Sequence, residues 1–172
     1  MNIILTGFMA TGKTDIGMSI ARLMKMKFID TDELIEYRED MKISEIFSVK
    51  GEKYFRDLEY ALAEELGGSD NCVVSTGGGF VLKPENIAKI RKHGWVVNLY
   101  ASVDRIIQRV EGRTDRPLLN NGDRRKKIET LLEARKKFYE NCDLAFDTTD
   151  TMSETAAKDI IGKLGLWQKK SR

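Results

Sequence analysis

The chain has 172 residues, of which 29 are lysine or arginine and 27 are aspartate or glutamate, giving a net charge of +2. With 41% hydrophobic and 33% charged residues, the composition is ordinary for a globular protein, and one domain over residues 1–172 can bury most of its apolar surface. The balanced charge and the lack of an apolar run of about 20 residues argue against nucleic-acid and membrane partners.

Short apolar runs typical of β-strands alternate along the chain with segments of helical period. Strands are predicted over residues 2–6, 27–29, 72–75, 95–100 and 144–147. Helices are predicted over residues 13–24, 31–39, 44–47, 52–66, 84–92, 102–110, 124–139 and 153–164. This alternation favours an α/β fold with a mostly parallel sheet between helical layers, in which ligands bind beyond the carboxyl ends of the strands.

A phosphate-loop pattern lies between the first strand and the first helix, where residues 7–14 read GFMATGKT and fit G-x-x-x-x-G-K-[ST]. At such a turn, backbone N–H groups and the positive end of the helix point at a polyphosphate. Lys13 is placed to reach the outer phosphates, and the Thr14 hydroxyl is placed to ligate Mg²⁺. The pattern predicts a nucleoside triphosphate site, against the alternative of a chance glycine-rich turn.

Two carboxylates follow the second predicted strand, in the run Asp30-Thr31-Asp32. A helix cap explains one of them, because an aspartate before a helix accepts hydrogen bonds from first-turn N–H groups. In a phosphate-loop enzyme, one carboxylate is needed near Mg²⁺ and a second is useful beside an acceptor hydroxyl. We therefore expect functional roles for Asp30 and Asp32.

No acidic residue follows the third predicted strand, which runs into STGGG at residues 75–79. Many phosphate-loop proteins carry a metal-supporting aspartate here, so its absence makes Asp30 the candidate metal-side carboxylate. The glycine triplet offers bare backbone N–H groups that suit a small polar substrate. A tight turn into Pro84 is the alternative explanation of these glycines.

Arg56 and Arg135 are candidate cations on two predicted helices. A surface ion pair with Glu59, three residues further on, is the alternative to a functional role for Arg56. Spacing alone does not separate Arg135 from its neighbours Lys136 and Lys137.

Residues 112–123 lack a regular pattern and contain Arg113 and Arg116. A segment of this length inside a compact domain is often a lid. Arginines on a lid suit a kinase, because closure brings positive charge to the transferring phosphoryl group and excludes water.

Together these motifs resemble the shikimate kinase family over nearly the whole chain. The resemblance is carried by GFMATGKT at residues 7–14, Asp30-Thr31-Asp32, Phe55-Arg56, Gly77-Gly78-Gly79, Arg116-Pro117-Leu118-Leu119 and the pair Arg135 and Tyr139. It implies a three-layer phosphate-loop NTPase fold with a five-stranded parallel sheet, similar to nucleoside monophosphate kinases. It also implies a substrate-binding region at about residues 31–60 and a lid at about residues 112–123.

The resemblance further implies ATP-dependent phosphorylation of the 3-hydroxyl of shikimate with Mg²⁺, a step of aromatic amino-acid biosynthesis. ATP would be bound by Gly7, Ala10, Thr11, Gly12, Lys13, Thr14, Arg109 and Arg116. Mg²⁺ would be held by Thr14 and, through water, by Asp30. Shikimate would be bound by Asp32, Arg56, Gly78, Gly79 and Arg135, and the catalytic residues would be Lys13, Asp32 and Arg116.

Two positions depart from the family pattern. Ala10 stands where many members have glycine, which we expect to matter little. Residues 148–152 contain no arginine where the family's adenine-facing loop often has one, so the adenine contacts of this loop stay open.

Two alternative functions also stay open: a gluconate kinase-like enzyme of the same fold, and a catalytically silent nucleotide-binding module.

We expect a cytoplasmic monomer. Cys72 and Cys142 are too far apart in sequence for a metal knuckle and are typical of reduced thiols. The first predicted strand begins at residue 2, so we expect no signal or transit peptide.

Overall fold

The computed structural model describes residues 1–111 and 123–167. Its centre is a parallel sheet of five strands in the order β2-β3-β1-β4-β5. The strands are β1 (Asn2–Gly7), β2 (Lys27–Asp30), β3 (Cys72–Ser75), β4 (Gly94–Tyr100) and β5 (Leu144–Asp147). The predicted α/β class with a five-stranded parallel sheet is therefore confirmed.

Eight α-helices cover the sheet in the described part of the chain. They are α1 (Lys13–Met24), α2 (Thr31–Glu39), α3 (Ile43–Val49), α4 (Gly51–Gly67), α5 (Pro84–Ile90), α6 (Val103–Val110), α7 (Arg124–Tyr139) and α8 (Ser153–Lys163). Each predicted strand and helix lies within two residues of the observed one. The 3-10 turns Phe80–Leu82 and Arg91–His93 were not predicted, and the second takes over the end of the helix predicted over residues 84–92.

Each face of the sheet has its own apolar core, because successive side chains of a strand point to opposite faces. Ile3 and Leu5 of β1 pack in the core beneath α1 and α8. Ile4, between them, packs in the core that includes residues of α4, α5, α6 and α7. Both faces of β1 are thus covered, as expected for the central strand of a three-layer α/β fold.

The order of the strands fixes where a ligand can bind. The chain leaves β1 toward β2 and β3 on one side, and it returns past β1 to build β4 and β5 on the other. Such a reversal opens a crevice at the carboxyl ends of the central strands. Three features of the sequence lie at this edge: the phosphate loop after β1, Asp30 at the end of β2, and the glycine segment, residues 77–79, after β3.

None of the described helices is both long and apolar enough to cross a membrane.

Two helical glycines should respond oppositely to replacement by alanine. A Cβ on Gly17, inside α1, would lie 2.6 Å from Cε2 of Phe28, whereas a Cβ on Gly162, in α8, would lie 3.6 Å from the nearest atom, Nε1 of Trp167. Alanine favours helix by about 1 kcal/mol over glycine, so Gly162→Ala should stabilise the fold by up to that amount. Gly17→Ala should instead destabilise it by about 1–3 kcal/mol, because the core must shift.

Urea unfolding of both variants beside the wild type measures these changes in the free energy of unfolding. A stabilised Gly17→Ala variant would contradict the described packing of α1 on Phe28.

Candidate active site

The phosphate loop has the backbone shape that its glycines allow. Gly7 has φ of 138°, and a Cβ there would overlap the carbonyl oxygen of Leu99 on β4. Gly12 has φ of 88° and precedes α1, whose first turn has no side-chain cap. Ala10 also has a left-handed backbone, with φ of 61°. Glycine adopts that region freely, so alanine at this position costs about 1 kcal/mol of backbone energy.

Lys13 lies across the inside of this loop. Its ammonium group donates hydrogen bonds to the carbonyl oxygens of Gly7 at 3.0 Å and Phe8 at 2.8 Å. These contacts hold the positive charge at the mouth of the loop, beside the N-terminus of α1. The lysine charge and the helix dipole therefore act on the same region.

Asp30 joins the phosphate loop to α2. The Thr14 hydroxyl donates to Oδ2 of Asp30 at 3.0 Å. The other carboxylate oxygen caps α2, accepting from the N–H groups of Asp32 at 3.0 Å and Glu33 at 3.4 Å. The sequence offered capping and a functional role as alternatives for one aspartate, and the geometry of Asp30 allows both.

The chemistry of this pair fits Mg²⁺. Thr14 and Asp30 offer hard oxygen ligands, which Mg²⁺ prefers, together with water and substrate phosphates. Within residues 1–111 and 123–167, no group of three or more histidine, cysteine, aspartate or glutamate residues could hold a metal. A site with few protein ligands is the usual arrangement for Mg²⁺ in phosphoryl transfer.

Asp32 lies against the glycine segment that follows β3. A Cβ on Gly77 would overlap the carboxylate of Asp32, so only glycine leaves room for it. The Gly77 N–H donates to the Thr31 hydroxyl at 3.0 Å, which holds the segment beside α2. The segment is also a tight turn, because the Phe80 N–H donates to the Gly77 carbonyl at 3.0 Å. The turn explanation of these glycines therefore holds locally, whereas the Gly77 N–H is not bare, because the Thr31 hydroxyl accepts it.

Arg56 extends over the end of the same segment. A Cβ on Gly79 would lie 2.5 Å from its Nη1. The guanidinium donates to Glu59 at 2.7 Å and to Glu52 at 3.0 Å, and it lies 5.4 Å from the ring centre of Phe55. The ion pair that was the alternative explanation of Arg56 is present, but it is not a surface pair, because the side chain of Glu59 is only 1% exposed.

Burial is the largest influence on the pKa of Glu59. It raises the pKa of this carboxyl from 4.5 to about 7, although the neighbouring Arg56 works in the opposite direction. One oxygen, Oε2, accepts from Arg56, whereas Oε1 is buried with no hydrogen-bond partner among the described residues. The charged form of Glu59 is therefore costly, and Arg56 is the group that offsets this cost.

The structure separates Arg135 from the other cations of α7. Its Nη1 donates to the Gly78 carbonyl at 3.4 Å, and the hydroxyl of Tyr139, one turn later, donates to the same oxygen at 2.7 Å. Lys136 and Lys137 are exposed. Arg56 and Arg135 thus approach the glycine segment from two different helices, and their positive charges converge there.

Arg109 of α6 connects the phosphate loop to the segment after β5. It donates to the carbonyl oxygen of Ala10 at 3.0 Å and to that of Thr148 at 2.7 Å. The Thr148 hydroxyl in turn lies 2.9 Å from the Thr11 carbonyl oxygen. The segment after β5 therefore contacts the loop through Thr148, without an arginine of its own.

A cleft of about 490 Å³ brings most of these groups together. Its lining includes residues 9–16 of the phosphate loop and α1, and further Asp30, Asp32, Ser75, Thr76, Gly78, Arg109, Thr148, Thr151 and Ser153. Arg56 and Arg135 reach the glycine segment at Gly79 and Gly78. Arg116 and the predicted lid up to residue 122 lie outside the described residues.

Three contributions to this site were not predicted from the sequence. The buried state of Glu59 depends on packing that no local pattern reports. Thr31 was noted only as the residue between two aspartates, and Thr148 only as part of a loop that lacks arginine. The available signal was positional, because each threonine directly follows a strand at the carboxyl edge of the sheet.

Comparisons with known proteins agree on one family. A family model described as shikimate kinase matches residues 9–165. A shikimate kinase from Caldicellulosiruptor bescii is 44% identical over 160 residues, which are 93% of this chain and 93% of the relative. One from Geobacter metallireducens is 41% identical over 95% of this chain and 91% of its own length. The solved shikimate kinase from Acinetobacter baumannii in complex with shikimate gives a TM-score of 0.90 at 32% identity, covering 98% of this chain and 95% of that one.

The raised pKa of Glu59 predicts a pH-dependent contribution to stability. A carboxyl with a folded-state pKa above its unfolded value stabilises the fold fully below the unfolded pKa, near 4.5, and loses that contribution as pH rises through about 7. Glu59→Gln cannot ionise. Relative to the wild type, its free energy of unfolding should therefore rise between pH 5 and 8, by on the order of 1–3 kcal/mol.

Glu65→Gln is a matched control on the same helix, because its hydrogen bond with Arg38 lowers the pKa of Glu65. Its difference from the wild type should stay constant over this pH range in urea unfolding. An equally constant difference for Glu59→Gln would show that Glu59 ionises normally.

Proposed function

The chain belongs to the shikimate kinase family, and from this premise we propose that it transfers the γ-phosphoryl group of ATP to the 3-hydroxyl of shikimate. The product would be shikimate 3-phosphate, an intermediate of aromatic amino-acid biosynthesis. One observation carries the proposal: a phosphate loop and a carboxylate-and-arginine site share one edge of the sheet, joined by Asp30. Such a site can hold a phosphoryl donor and a carboxylated alcohol at the same time.

The donor half is the phosphate loop. In this proposal the loop residues Gly7, Ala10, Thr11 and Gly12 surround the phosphates, and Lys13 contacts the β- and γ-phosphates. Thr14 and, through water, Asp30 would hold Mg²⁺, which when bound neutralises charge on the phosphates. Arg109 would pack near the adenine. Arg116 would stabilise charge on the transferring phosphoryl group as part of a lid over residues 112–123.

The acceptor half is the glycine segment with its flanking charges. Arg56 and Arg135 would hold the shikimate carboxylate, because a guanidinium can donate two parallel hydrogen bonds to a carboxylate. Gly78 and Gly79 would offer backbone contacts to the ring substituents. Glu59 supports this arrangement indirectly, since its bond of 2.7 Å fixes one side of the Arg56 fork. Residues 31–60 would form the substrate-binding region.

Asp32 is proposed as the residue that acts on the attacking hydroxyl. It lies in the first turn of α2, beside the glycine segment, and it lines the same cleft as the phosphate loop, which supports this role. An alcohol is too weak an acid to ionise freely, so Asp32 would mainly orient the hydroxyl and take its proton late in a loose transition state. Lys13 would balance the charge of the phosphoryl group on the other side of the reaction.

We also propose that the chain works as a monomer in the cytoplasm. The only two cysteines, Cys72 and Cys142, are free thiols, as is typical of proteins in a reducing compartment.

A panel of acceptors tests the proposed function. With ATP and Mg²⁺, ADP release should be fast with shikimate and slower by at least a hundredfold with gluconate or nucleoside monophosphates, because only shikimate offers both the ring hydroxyl and the rigid carboxylate. Shikimate methyl ester is a matched control, since it keeps the hydroxyls but removes the charge that Arg56 and Arg135 would bind.

Rapid phosphorylation of gluconate without activity on shikimate would identify a gluconate kinase-like enzyme. Binding of ATP without turnover of any acceptor would identify a silent nucleotide-binding module. Equal KM values for shikimate and its methyl ester would remove the carboxylate clamp from the proposal.

A further inference from the structure

The Thr148 hydroxyl contacts the phosphate loop from the end of the edge strand β5, two strands away from β1. We propose that Thr148 is a positioning residue for ATP: its hydroxyl fixes the Thr11–Gly12 peptide, so that the loop keeps its N–H groups directed at the nucleotide. This role rests on the proposed function, because it concerns the ATP site of that function.

Thr148 is rigidly placed. It directly follows β5 and is only 1% exposed. Its N–H donates to the Tyr100 carbonyl at the end of β4, at 2.8 Å. The backbone that carries the hydroxyl is thus held directly by the sheet.

The Thr148 hydroxyl lies near two carbonyl oxygens, and the one on the phosphate loop is the one that depends on it. Oγ1 lies 2.9 Å from the carbonyl oxygen of Thr11 and 3.1 Å from that of Tyr100, and it accepts from Arg109 at 3.3 Å. A hydroxyl has one hydrogen to donate. Since the Tyr100 carbonyl already accepts the Thr148 N–H, the Thr11 carbonyl is the acceptor that depends on the hydroxyl.

Fixing a carbonyl also fixes the next N–H. In a planar trans peptide, the C=O and the N–H point in opposite directions. The Thr11 carbonyl directed at Thr148 therefore directs the Gly12 N–H to the other side of the loop. In the same way, Arg109 holds the Ala10 carbonyl at 3.0 Å and so directs the Thr11 N–H. Successive N–H groups of this kind form the anion-binding concavity of a phosphate loop.

The loop cannot replace this contact from within. The Thr11 hydroxyl donates to the Phe8 carbonyl at 2.8 Å, and Lys13 donates to the same carbonyl at 2.8 Å. Gly12 has φ of 88°, and glycine adopts most backbone angles freely. The orientation of the Thr11–Gly12 peptide is therefore fixed by contacts with neighbouring groups and not by Gly12 itself. The Thr148 hydroxyl therefore holds a peptide orientation that Gly12 does not hold by itself.

Thr148→Val removes the hydroxyl and keeps the size and branching of the side chain. It leaves the Thr11 carbonyl without this donor, so the Kd for Mg·ATP should rise about tenfold, with kcat and the KM for shikimate at saturating ATP changed by about twofold at most. Thr148→Ser keeps the hydroxyl and should bind ATP like the wild type. Isothermal titration without acceptor gives the Kd, and steady-state kinetics gives kcat and KM.

Thr6→Val is the matched control. Thr6 is also 1% exposed, but its hydroxyl lies 3.5 Å from the Val97 carbonyl and does not contact the phosphate loop. This variant should bind Mg·ATP with the affinity of the wild type. If Thr148→Val does not fold, Thr148→Cys, with its weak donor, takes its place and should bind ATP more weakly than Thr148→Ser.

Two outcomes would overturn the positioning role. One is an unchanged Kd in the variants that lack the hydroxyl. The other is an equal loss in Thr148→Ser, which would show that packing and not the hydroxyl matters. Because nucleotide binding is measured without acceptor, these outcomes differ from failure of the proposed function, in which the wild type binds Mg·ATP but does not phosphorylate shikimate.

Discussion

The rest of the site depends on the hydrogen bonds that the Asp30 carboxylate accepts. One oxygen accepts the Thr14 hydroxyl at the start of α1, and the other caps α2, which carries Asp32. Asp30 can do both because it ends β2, and β2 is held in register with β3 at Ser75. The sheet thereby sets the distance between the phosphate loop and the proposed acceptor site, whose Gly78 lies directly beside the loop at Gly7 and Met9.

The sequence was sufficient to predict the fold and the position of the phosphate loop, because their signals are local. Alternating strand and helix patterns placed every described strand within a residue of its observed bounds. The phosphate-loop pattern depends on glycines and a lysine within eight positions, and the pair Asp30 and Asp32 follows directly from the end of a strand. At the carboxyl edge of a parallel sheet, sequence position already implies proximity in space.

The remaining features depend on contacts between distant segments, and no local pattern contains them. In the structure, the contact with Gly78, 57 residues earlier in the chain, distinguishes Arg135 from Lys136. Thr148 contacts Thr11 across 137 residues. The burial of Glu59 arises from packing around α4, where spacing suggested a surface ion pair. In each case the residue type was visible in the sequence, but its environment was created by the fold.

We expect the charge of Asp30 to serve the metal, while its shape caps α2. Asn caps a helix nearly as well as Asp, so Asp30→Asn removes the charge and keeps the cap. Kinase activity measured against Mg²⁺ concentration at fixed ATP separates the two roles. In Asp30→Asn the midpoint for Mg²⁺ should rise about tenfold or more, as is typical when a residue that supports a metal from the outer shell is changed, and it should be unchanged in Asp40→Asn at the other end of α2. A wild-type midpoint in Asp30→Asn would show that the charge of Asp30 does not serve the metal.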